Sequence, residues 1–432
     1  MKVVAFLPAK GNSERIESKN MKLLDGKPLF LHTLEKLVNC DFIDTVYLDS
    51  ESDEVLNYAS YLNYIPLKRD PKLANNNTDG HKLFYNEVSQ VDADIYIQIL
   101  GTSPFIKEDT IRKGVEILKQ YEEYDSVVLV KREKQYTWNE KSPNYDLNNI
   151  PNSKDLPDTV IETMGLYIVR SECAHNEKKR IGKHPFLMNA DAIEAVDVNY
   201  PDDFYHAEMI AKGLHMDEVK KFSVMSNHLS SCTFSDILWD LGVKNCFISG
   251  LRLNIKGKCV MGRANTLKLR KLLENEDFRG IYKGLETYKT MRSGDIIVVE
   301  NECNDRAYFG DLNCNLAIRS GAIATIIDGV TRDITKVTDL AYPVFSEGYC
   351  GADVRGVATV ESYNKPVYIK NVKICPGELI FGDINGVVVI PHRYEKIVLE
   401  KVVQAMRTEK IVIDKIIDNV DAYTIYEQEG AF

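Results

Sequence analysis

Short apolar runs alternate with amphipathic segments over residues 1–220. The runs predict buried strands, and the segments between them place apolar residues at helical spacings of three and four. Strands separated by helices of this length are typical of βαβ units in a mostly parallel sheet. The predicted strands are KVVAFLPA, TVYLDS, ADIYIQIL and DSVVLVKR, and the helices include PLFLHTLEKLVNC, DEVLNYASYL and DTIRKGVEILKQY. Because ligands of such sheets bind beyond the carboxyl ends of the strands, the loops there are candidates for chemistry.

A different pattern begins after residues 221–228. Most of the apolar runs beyond it are rich in β-branched residues, which favour strands. A helix at LSSCTFSDILWDLGV precedes the predicted strands DIIVVE, AIATIID, VRGVATVE, VYIKNVKI and GVVVIP, and a helix at YEKIVLEKVVQAM follows them. The change of pattern and the 432-residue length predict two α/β domains, residues 1–222 and 227–432.

Charge and composition exclude several classes of protein. A formal charge of −10 argues against non-specific binding of nucleic acid. No stretch approaches the roughly 18 apolar residues of a membrane span, and the apolar run before Pro8 is too short for a signal peptide, so we expect a cytoplasmic protein. The nine cysteines include no CxxC pair and are expected to be reduced, mostly buried thiols. Trp138 and Trp239 are expected to be packing residues.

The loop after the first predicted strand concentrates small residues and cations. Gly11, Asn12 and Ser13 leave room for backbone amides to face an anion. Lys10, Arg15 and Lys19 add three positive charges within ten positions. Such a set suits a triphosphate, whose transfer depends on charge neutralisation, although neither the P-loop nor the dinucleotide fingerprint fits. By composition alone, a solvated charged loop is an equally good interpretation.

The order of the residues adds a resemblance to a known family. The string Pro8-Ala9-Lys10-Gly11-x-Ser13-x-Arg15-Ile16-x-x-Lys19-Asn20, followed by Lys22-Leu23-Leu24 and Gly26-Lys27-Pro28-Leu29, closely resembles the signature of CMP-sugar synthetases. That family includes the acylneuraminate, pseudaminate and 3-deoxy-octulosonate cytidylyltransferases. Further similarities lie at Arg69–Ala74, Leu100–Pro104, Met164–Tyr167 and Ala195–Asp203.

This resemblance implies a Rossmann-like, GT-A-like nucleotidyltransferase sheet and a specific reaction. A hydroxyl of a 2-keto sugar acid would attack the α-phosphate of CTP and release pyrophosphate. Lys19 would neutralise the α-phosphate and Arg15 the β- and γ-phosphates, while Asp197 would hold Mg²⁺ or another divalent cation. The implied nucleotide-binding residues are Ala9, Lys10, Gly11, Asn12, Ser13, Arg69 and Ala74.

Three positions depart from the family pattern. Asn199 stands in place of the second aspartate of the closing element, Leu100 in place of a glutamine and Met164 in place of an asparagine. These departures leave the identity of the sugar acid open. Asp49, at the end of the second strand, is either a site residue or a helix cap, and the sequence favours neither interpretation.

The second half contains an Arg-Asp pair after an apolar strand, in Asp328-Gly329-x-x-Arg332-Asp333. Arginine binds carboxylates and aspartate binds divalent cations, so the pair could hold a metal-chelated 2-keto acid. By composition alone, a surface ion pair at a turn is the commoner outcome. The wider pattern resembles the superfamily of class II 4-hydroxy-4-methyl-2-oxoglutarate aldolases and RraA-like regulators. Its motifs are Leu229-Ser230-Ser231-x-Thr233-x-x-Asp236, Gly310-Asp311-Leu312, Gly321, and Pro376-Gly377-Glu378-Leu379-x-x-Gly382-Asp383-x-x-Gly386-Val387-Val388-Val389-Ile390-Pro391.

This second resemblance implies an RraA-like α/β swivelling domain that forms homo-trimers or hexamers, with dimer contacts expected from the first domain. Arg332 would bind pyruvate and its enolate with help from Gly310, Asp311 and Leu312. Asp333 and Asp311 would hold the divalent cation, and Asp236 is a secondary candidate.

Together the two resemblances predict a bifunctional enzyme, a CMP-sugar synthetase fused to a Mg²⁺-dependent aldolase-like domain that forms or cleaves the 2-keto acid. Its implied ligands are CTP, a 2-keto-3-deoxy sugar acid, pyruvate and an aldehyde. The alternative is an active cytidylyltransferase carrying a non-catalytic RraA-like scaffold or regulatory domain.

Overall fold

The computed structural model describes residues 1–75 and 78–430. The contacts divide the chain into two units, Met1–Ala211 and Lys212–Phe432, each of which is described by itself. The division falls inside one continuous helix, Pro201–Ser226. The domain boundaries inferred from the sequence, 1–222 and 227–432, stay a prediction.

The first unit is built on a seven-stranded sheet with the order β5-β4-β1-β6-β8-β7-β9. Every strand runs parallel to β1 except β8, which is antiparallel to both of its neighbours. The mostly parallel sheet predicted from the sequence is therefore confirmed. The strands are β1 Val3–Pro8, β2 Leu23–Leu24, β3 Lys27–Pro28, β4 Thr45–Ser50, β5 Ile65–Lys68, β6 Ile95–Ile99, β7 Ser126–Glu133, β8 Thr159–Arg170 and β9 Pro185–Asn189. The helices are α1 Leu29–Val38, α2 Asp53–Tyr58, α3 Gly80–Val88, α4 Glu108–Gln120, α5 Ser171–Glu177 and α6 Pro201–Ser226.

Helices cover both faces of this sheet, which explains why β1 is apolar at successive positions. Val3, Ala5 and Leu7 face the core formed with α1, α2 and α4. Val4 and Phe6 face the opposite core, formed with α3 and α5. The loop after β1 thus begins at the carboxyl edge of a strand that is rigidly packed on both sides.

The second unit contains a nine-stranded mixed sheet with the order β10-β22-β21-β12-β13-β14-β16-β11, and β18 pairs with β12. Its strands are β10 Phe247–Ile248, β11 Arg252–Leu253, β12 Val260–Lys271, β13 Ile296–Asn301, β14 Ala324–Ile327, β15 Val330–Thr331, β16 Val344–Ser346, β17 Gly348–Tyr349, β18 Ala358–Tyr363, β19 Val367–Ile369, β20 Val372–Ile374, β21 Leu379–Asp383 and β22 Gly386–Ile390. Its helices are α7 Ser231–Asp240, α8 Thr287–Thr290, α9 Asp311–Ser320, α10 Ile334–Asp339, α11 His392–Ile417 and α12 Ala422–Glu429.

Two features of this unit differ from the pattern-based expectation. The twelve-residue strand β12 was not predicted, because lysine and arginine side chains interrupt its apolar run. Lys268 instead faces Glu300 and Glu361 across the sheet surface, at 3.4 and 3.3 Å. The run VYIKNVKI, predicted as one strand, is the hairpin β19–β20, which turns at Lys370 with a φ of 53°.

The expectation that both tryptophans pack in the interior is wrong, since Trp138 is 61% and Trp239 74% exposed. In α7 the buried Phe234 and Leu238 take the inner positions, so Trp239 points away from the core. The cysteines fit their prediction, with all nine free and five of them buried. Within residues 1–75 and 78–430, no helix combines the length and apolarity that crossing a membrane requires.

Candidate functional sites

The loop after β1 is held by contacts from distant parts of the first unit. The Asn20 side chain donates to the Lys10 carbonyl at 2.8 Å, and Gly11 N–H donates to Glu51 Oε1 at 2.7 Å. A Cβ added to Gly11 would lie 2.5 Å from Ser52 Cβ. Glycine is needed here because the loop packs tightly against Ser52, and the Gly11 backbone is not in the left-handed conformation.

Lys19 is a nearly buried cation at the centre of this site. Its side chain is 8% exposed, and Nζ donates to the Val198 carbonyl at 2.7 Å. Burial lowers the pKa of Lys19 to about 8, opposed by Asp197 and assisted by the positive charge of Arg15. The guanidinium of Arg15 lies over the Tyr200 ring at 5.2 Å from its centroid. The loop cations therefore face the closing element, residues 195–203.

Asp197 has one carboxylate oxygen that is buried and finds no hydrogen-bond partner among the residues that the structure describes. Its other oxygen accepts from the Asn199 side chain. Asp203, in the first turn of α6, accepts hydrogen bonds from the backbone N–H groups of Asn199 and Tyr200, at 2.9 and 2.8 Å. These two residues directly precede the helix. Asn199, which replaces the usual aspartate, thus acts as a donor that orients Asp197.

The turn at residues 100–104 connects these motifs. Leu100 N–H donates to the Gly165 carbonyl at 2.9 Å, and the Thr102 carbonyl accepts from Val198 N–H at the same distance. Met164, just before Gly165, has a φ of 57°. Asparagine tolerates this left-handed conformation better than methionine does.

A cavity of about 340 Å³ adjoins Asp197. Its apolar wall includes Ile161, Met164 and Val196, and its polar wall includes Lys131 and Asp203. The cavity is large enough for a small organic ligand beside the carboxylate.

Asp49 proves not to be a helix cap, because Ser52 caps α2. It is fully buried and binds Arg69, with Nη2 of Arg69 2.8 Å from Oδ2 of Asp49. Asp49 also accepts the Ala9 N–H through its backbone carbonyl at 2.9 Å. Burial and the adjacent Asp49 carboxylate raise the pKa of Glu87 well above its usual value. This buried polar cluster connects the Arg69–Ala74 segment to the start of the loop after β1. Ala74 is half-buried and follows the turn Pro71–Leu73.

The second unit brings four predicted residues together. A Cβ on Gly310 would lie 2.5 Å from Asp333 Oδ2 and 2.9 Å from Arg332 Cγ, so only glycine fits between them. Arg332 Nε lies 3.4 Å from Asp333 Oδ2. Asp333 has a φ of 54°, a strained conformation of the kind found at functional sites. Asp311 begins α9 beside this group, while the Leu312 side chain is 74% exposed.

Other charged residues hold this second site. Arg332 Nη1 forms an ion pair with Asp353, and Asp311 pairs with Lys336 at 2.9 Å. The Lys336 ammonium lowers the pKa of Asp311. The group opens onto a cavity of about 470 Å³, lined by Asp311, Arg332, Asp333, Ile334, Tyr349, Cys350 and Gly351.

Asp383 and Asp236, from the same sequence motifs, differ from this group. Asp383 is buried and accepts from Ser231 N–H at 2.9 Å and from Ser231 Oγ at 2.8 Å, which joins β21 to the start of α7. Asp236 is exposed on α7 and does not line the cavity around Arg332.

Sequence reasoning missed Glu51, Asp353, Lys336 and the Tyr349–Gly351 segment. Glu51 and the Tyr349–Gly351 segment each follow the end of a strand in the structure, a placement that directs attention to them. Nothing in the sequence indicated that Glu51 would contact Gly11 or that Asp353 would contact Arg332.

Comparison with known proteins identifies the two halves separately. Residues 4–176 match the cytidylyltransferase family, and residues 231–389 match the aldolase/RraA family. Each match spans less than half of the chain. Both resemblances seen in the sequence are thereby confirmed, together with the nucleotidyltransferase-like and RraA-like α/β fold classes.

Individual relatives and a solved structure are similar to parts of the chain. The CMP-N,N'-diacetyllegionaminic acid synthase of Legionella pneumophila is 32% identical over 28% of this chain and 54% of its own length. A candidate 4-hydroxy-4-methyl-2-oxoglutarate aldolase of Halalkalibacterium halodurans is 34% identical over 31% of this chain and 63% of its own. A solved CMP:2-keto-3-deoxy-manno-octonic acid synthetase, complexed with CTP, has a TM-score of 0.39 and 17% identity, covering 49% of this chain and 98% of that one. The matches thus span less than two thirds of either curated relative.

Proposed function

We propose that the first unit transfers the cytidylyl group of CTP to a hydroxyl of a 2-keto-3-deoxy sugar acid. The hydroxyl oxygen bonds to the α-phosphorus and its proton passes to solvent, while the bond to the bridging oxygen breaks and pyrophosphate leaves with that electron pair. The observation that carries this proposal is the convergence of buried Lys19 and the partnerless Asp197 oxygen beside the loop after β1. A cation at the α-phosphate stabilises the negative charge that develops on the phosphate oxygens during attack.

The carboxylates of this site fit a divalent cation. Mg²⁺ is commonly held by one or two protein carboxylates together with substrate phosphates and water, so a full protein cage is unnecessary. Asp197 would hold the ion through its partnerless oxygen, and Asn199 fixes the orientation of that carboxylate. When bound, the cation supplies charge neutralisation to the phosphate oxygens. Lys19 and Arg15, on the loop after β1, would hold and orient the triphosphate.

The sugar acid would bind in the cavity beside Asp197. Lys131, which forms an ion pair with Glu133, would exchange that partner for the acceptor's carboxylate, and Ile161 and Met164 offer apolar contacts. Relatives named for N,N'-diacetyllegionaminic acid and for 3-deoxy-manno-octulosonate both match, so both acceptors are proposals to be compared.

Pyrophosphate release from CTP tests this proposal. The protein is incubated with CTP, Mg²⁺ and a panel of acetylated and non-acetylated ulosonic acids, and CMP conjugates are identified by mass spectrometry. Lys19→Ala is expected to lower turnover at least 100-fold, as loss of a charge-stabilising group does. Lys119→Ala removes an exposed lysine near the end of α4 and serves as the matched control. Absence of any conjugate from the wild type with the whole panel would overturn the proposal.

We further propose that the second unit binds a 2-keto acid and forms its enolate. The supporting observation is that Gly310, Asp311, Arg332 and Asp333, which are distant in sequence, meet at one cavity. Arg332 would bind the acid's carboxylate after exchanging its ion pair with Asp353. Asp333 and Asp311 would hold the divalent cation, which supplies stabilisation of enolate charge.

Exchange of pyruvate methyl protons with deuterated solvent tests the second proposal, because exchange requires the enolate and no aldehyde. Arg332→Ala should abolish the exchange, whereas Arg279→Ala, which breaks an exposed ion pair with Asp277, should not change it. Wild-type protein that gives no exchange above buffer would favour the scaffold alternative. The predicted homo-oligomer is tested separately by light scattering.

A further inference from the structure

One backbone amide of the phosphate loop already has a carboxylate partner. Gly11 N–H donates to Glu51 Oε1 at 2.7 Å. Glu51 directly follows β4, and Gly11 follows the neighbouring parallel strand β1, so the bond joins two loops at the same edge of the sheet. The close approach of Gly11 to Ser52 keeps this amide beside the carboxylate.

The second oxygen of the Glu51 carboxylate lacks a hydrogen-bond donor among the described residues. Glu51 Oε2 is buried and has no hydrogen-bond partner within the described part of the chain. Nearby Lys68 donates instead to the Glu51 backbone carbonyl at 2.8 Å and to Asp53 Oδ1 at 2.5 Å. Because buried polar atoms are normally hydrogen-bonded, this arrangement leaves the carboxylate easier to displace than a fully satisfied one.

A triphosphate requires the same part of the loop. Backbone amides in such loops bind phosphate oxygens, and Gly11 N–H is one of the amides expected to do so. A phosphate oxygen and a carboxylate oxygen cannot both approach one N–H without strong like-charge repulsion.

We propose that the Glu51 carboxylate competes with the triphosphate for the Gly11 N–H. It accepts the hydrogen bond from this N–H until a triphosphate displaces it. Glu51 therefore lowers the affinity of the site for CTP and for pyrophosphate, and its return to Gly11 assists release of the product. The inference rests on the proposed cytidylyl transfer only for the identity of the nucleotide. The competition itself applies to any polyphosphate that binds the loop.

Two substitutions at position 51 separate competition from structural support. Glu51→Gln keeps an oxygen that can accept from Gly11 N–H but removes the negative charge, and Glu51→Ala removes the acceptor. Glu54→Gln removes the same charge from an exposed position on α2 and is the matched control. Dissociation constants for CTP and for inorganic tripolyphosphate are measured by calorimetry in the presence of Mg²⁺.

We expect Glu51→Gln and Glu51→Ala each to bind both ligands roughly tenfold more tightly than wild type, with Glu54→Gln unchanged. Pyrophosphate should inhibit the Glu51 variants at correspondingly lower concentrations. Affinity that is unchanged or lower in both Glu51 variants would overturn the inference and assign Glu51 to support of the loop. If tripolyphosphate shows the tighter binding while CTP gives no conjugate with any acceptor, the competition stands and the proposed transferase fails.

Discussion

Lys19 illustrates how a single residue acquires its chemistry from burial. The pKa of about 8 means that the free enzyme begins to lose this positive charge just above neutral pH, because burial favours the neutral amine. The Lys19 side chain is mostly the charged ammonium below pH about 8 and mostly the neutral amine above it. A bound triphosphate would raise the pKa of Lys19 again by attraction, so the effect is expected in the protein without nucleotide.

We therefore predict that kcat/KM for CTP falls as the pH rises through about 8, by roughly tenfold per pH unit beyond it. Lys19→Arg should remove this fall, since a guanidinium stays charged throughout the range. The comparison is made on the pH profiles and not on the absolute rates, because arginine is larger. An identical fall in both proteins would assign the ionisation to another group.

Met164 carries a backbone penalty that asparagine would relieve. A left-handed residue with a β-carbon is disfavoured by about 1–2 kcal/mol, and less so for asparagine. Met164→Asn should raise the calorimetric melting temperature of the first unit by about 2–4 °C per kcal/mol recovered. Met164→Leu keeps the penalty and is the control. A melting temperature no higher for Met164→Asn than for Met164→Leu would contradict the backbone penalty assigned to Met164.

At the scale of elements, the attachment of α7 depends on one buried carboxylate. Asp383, on β21, accepts both the backbone N–H and the hydroxyl of Ser231 at the first turn of α7. The helix dipole also favours a negative charge at this end. A residue of a sequence motif can thus serve to hold two elements together.

Asp383→Asn should destabilise the second unit by about 2 kcal/mol, since a charged hydrogen-bond acceptor becomes a neutral one with a misplaced donor. Asp236→Asn changes an exposed aspartate of the same helix and should change stability by less than about 0.5 kcal/mol. Amide hydrogen exchange of α7 provides the measurement. Equal protection in the two variants would show that Asp383 is not the attachment point.

At the scale of the whole molecule, each candidate site lies within one contact unit that has its own buried core. The residues that would act on CTP belong to Met1–Ala211, and those that would act on a 2-keto acid belong to Lys212–Phe432. The two activities should consequently be separable by single substitutions.

Lys19→Ala is expected to abolish CMP-conjugate formation while pyruvate proton exchange continues at the wild-type rate. Arg332→Ala is expected to do the reverse when a preformed ulosonic acid is supplied. Both assays are run on both variants. Loss of both activities in either variant would show that the sites depend on each other.

Much of the fold could be predicted because its signals are local. The buried strand at residues 3–8, the helix at 29–38 and the closing helix after Pro391 follow from apolar spacing over a few residues. The strand β12 was not predicted because Arg263 and Lys268 pair with carboxylates that are distant in the sequence, Glu218 and Glu300, and a local pattern does not show such pairs. The hairpin at Lys370 escaped because its turn uses a left-handed lysine in place of glycine.

The order of residues in the chain sufficed to identify both families and to select candidate residues such as Lys19, Asp197 and Arg332. It could not assign the partners of buried polar groups. Asp49 accepts hydrogen bonds from Arg69, and Asp197 accepts one from Asn199. Glu51 accepts from the Gly11 N–H. Asp383 accepts from Ser231, which is 152 residues away in the sequence. A motif is a local property of the sequence, whereas the hydrogen-bond partner of a buried carboxylate depends on which distant segment the folded chain places beside it.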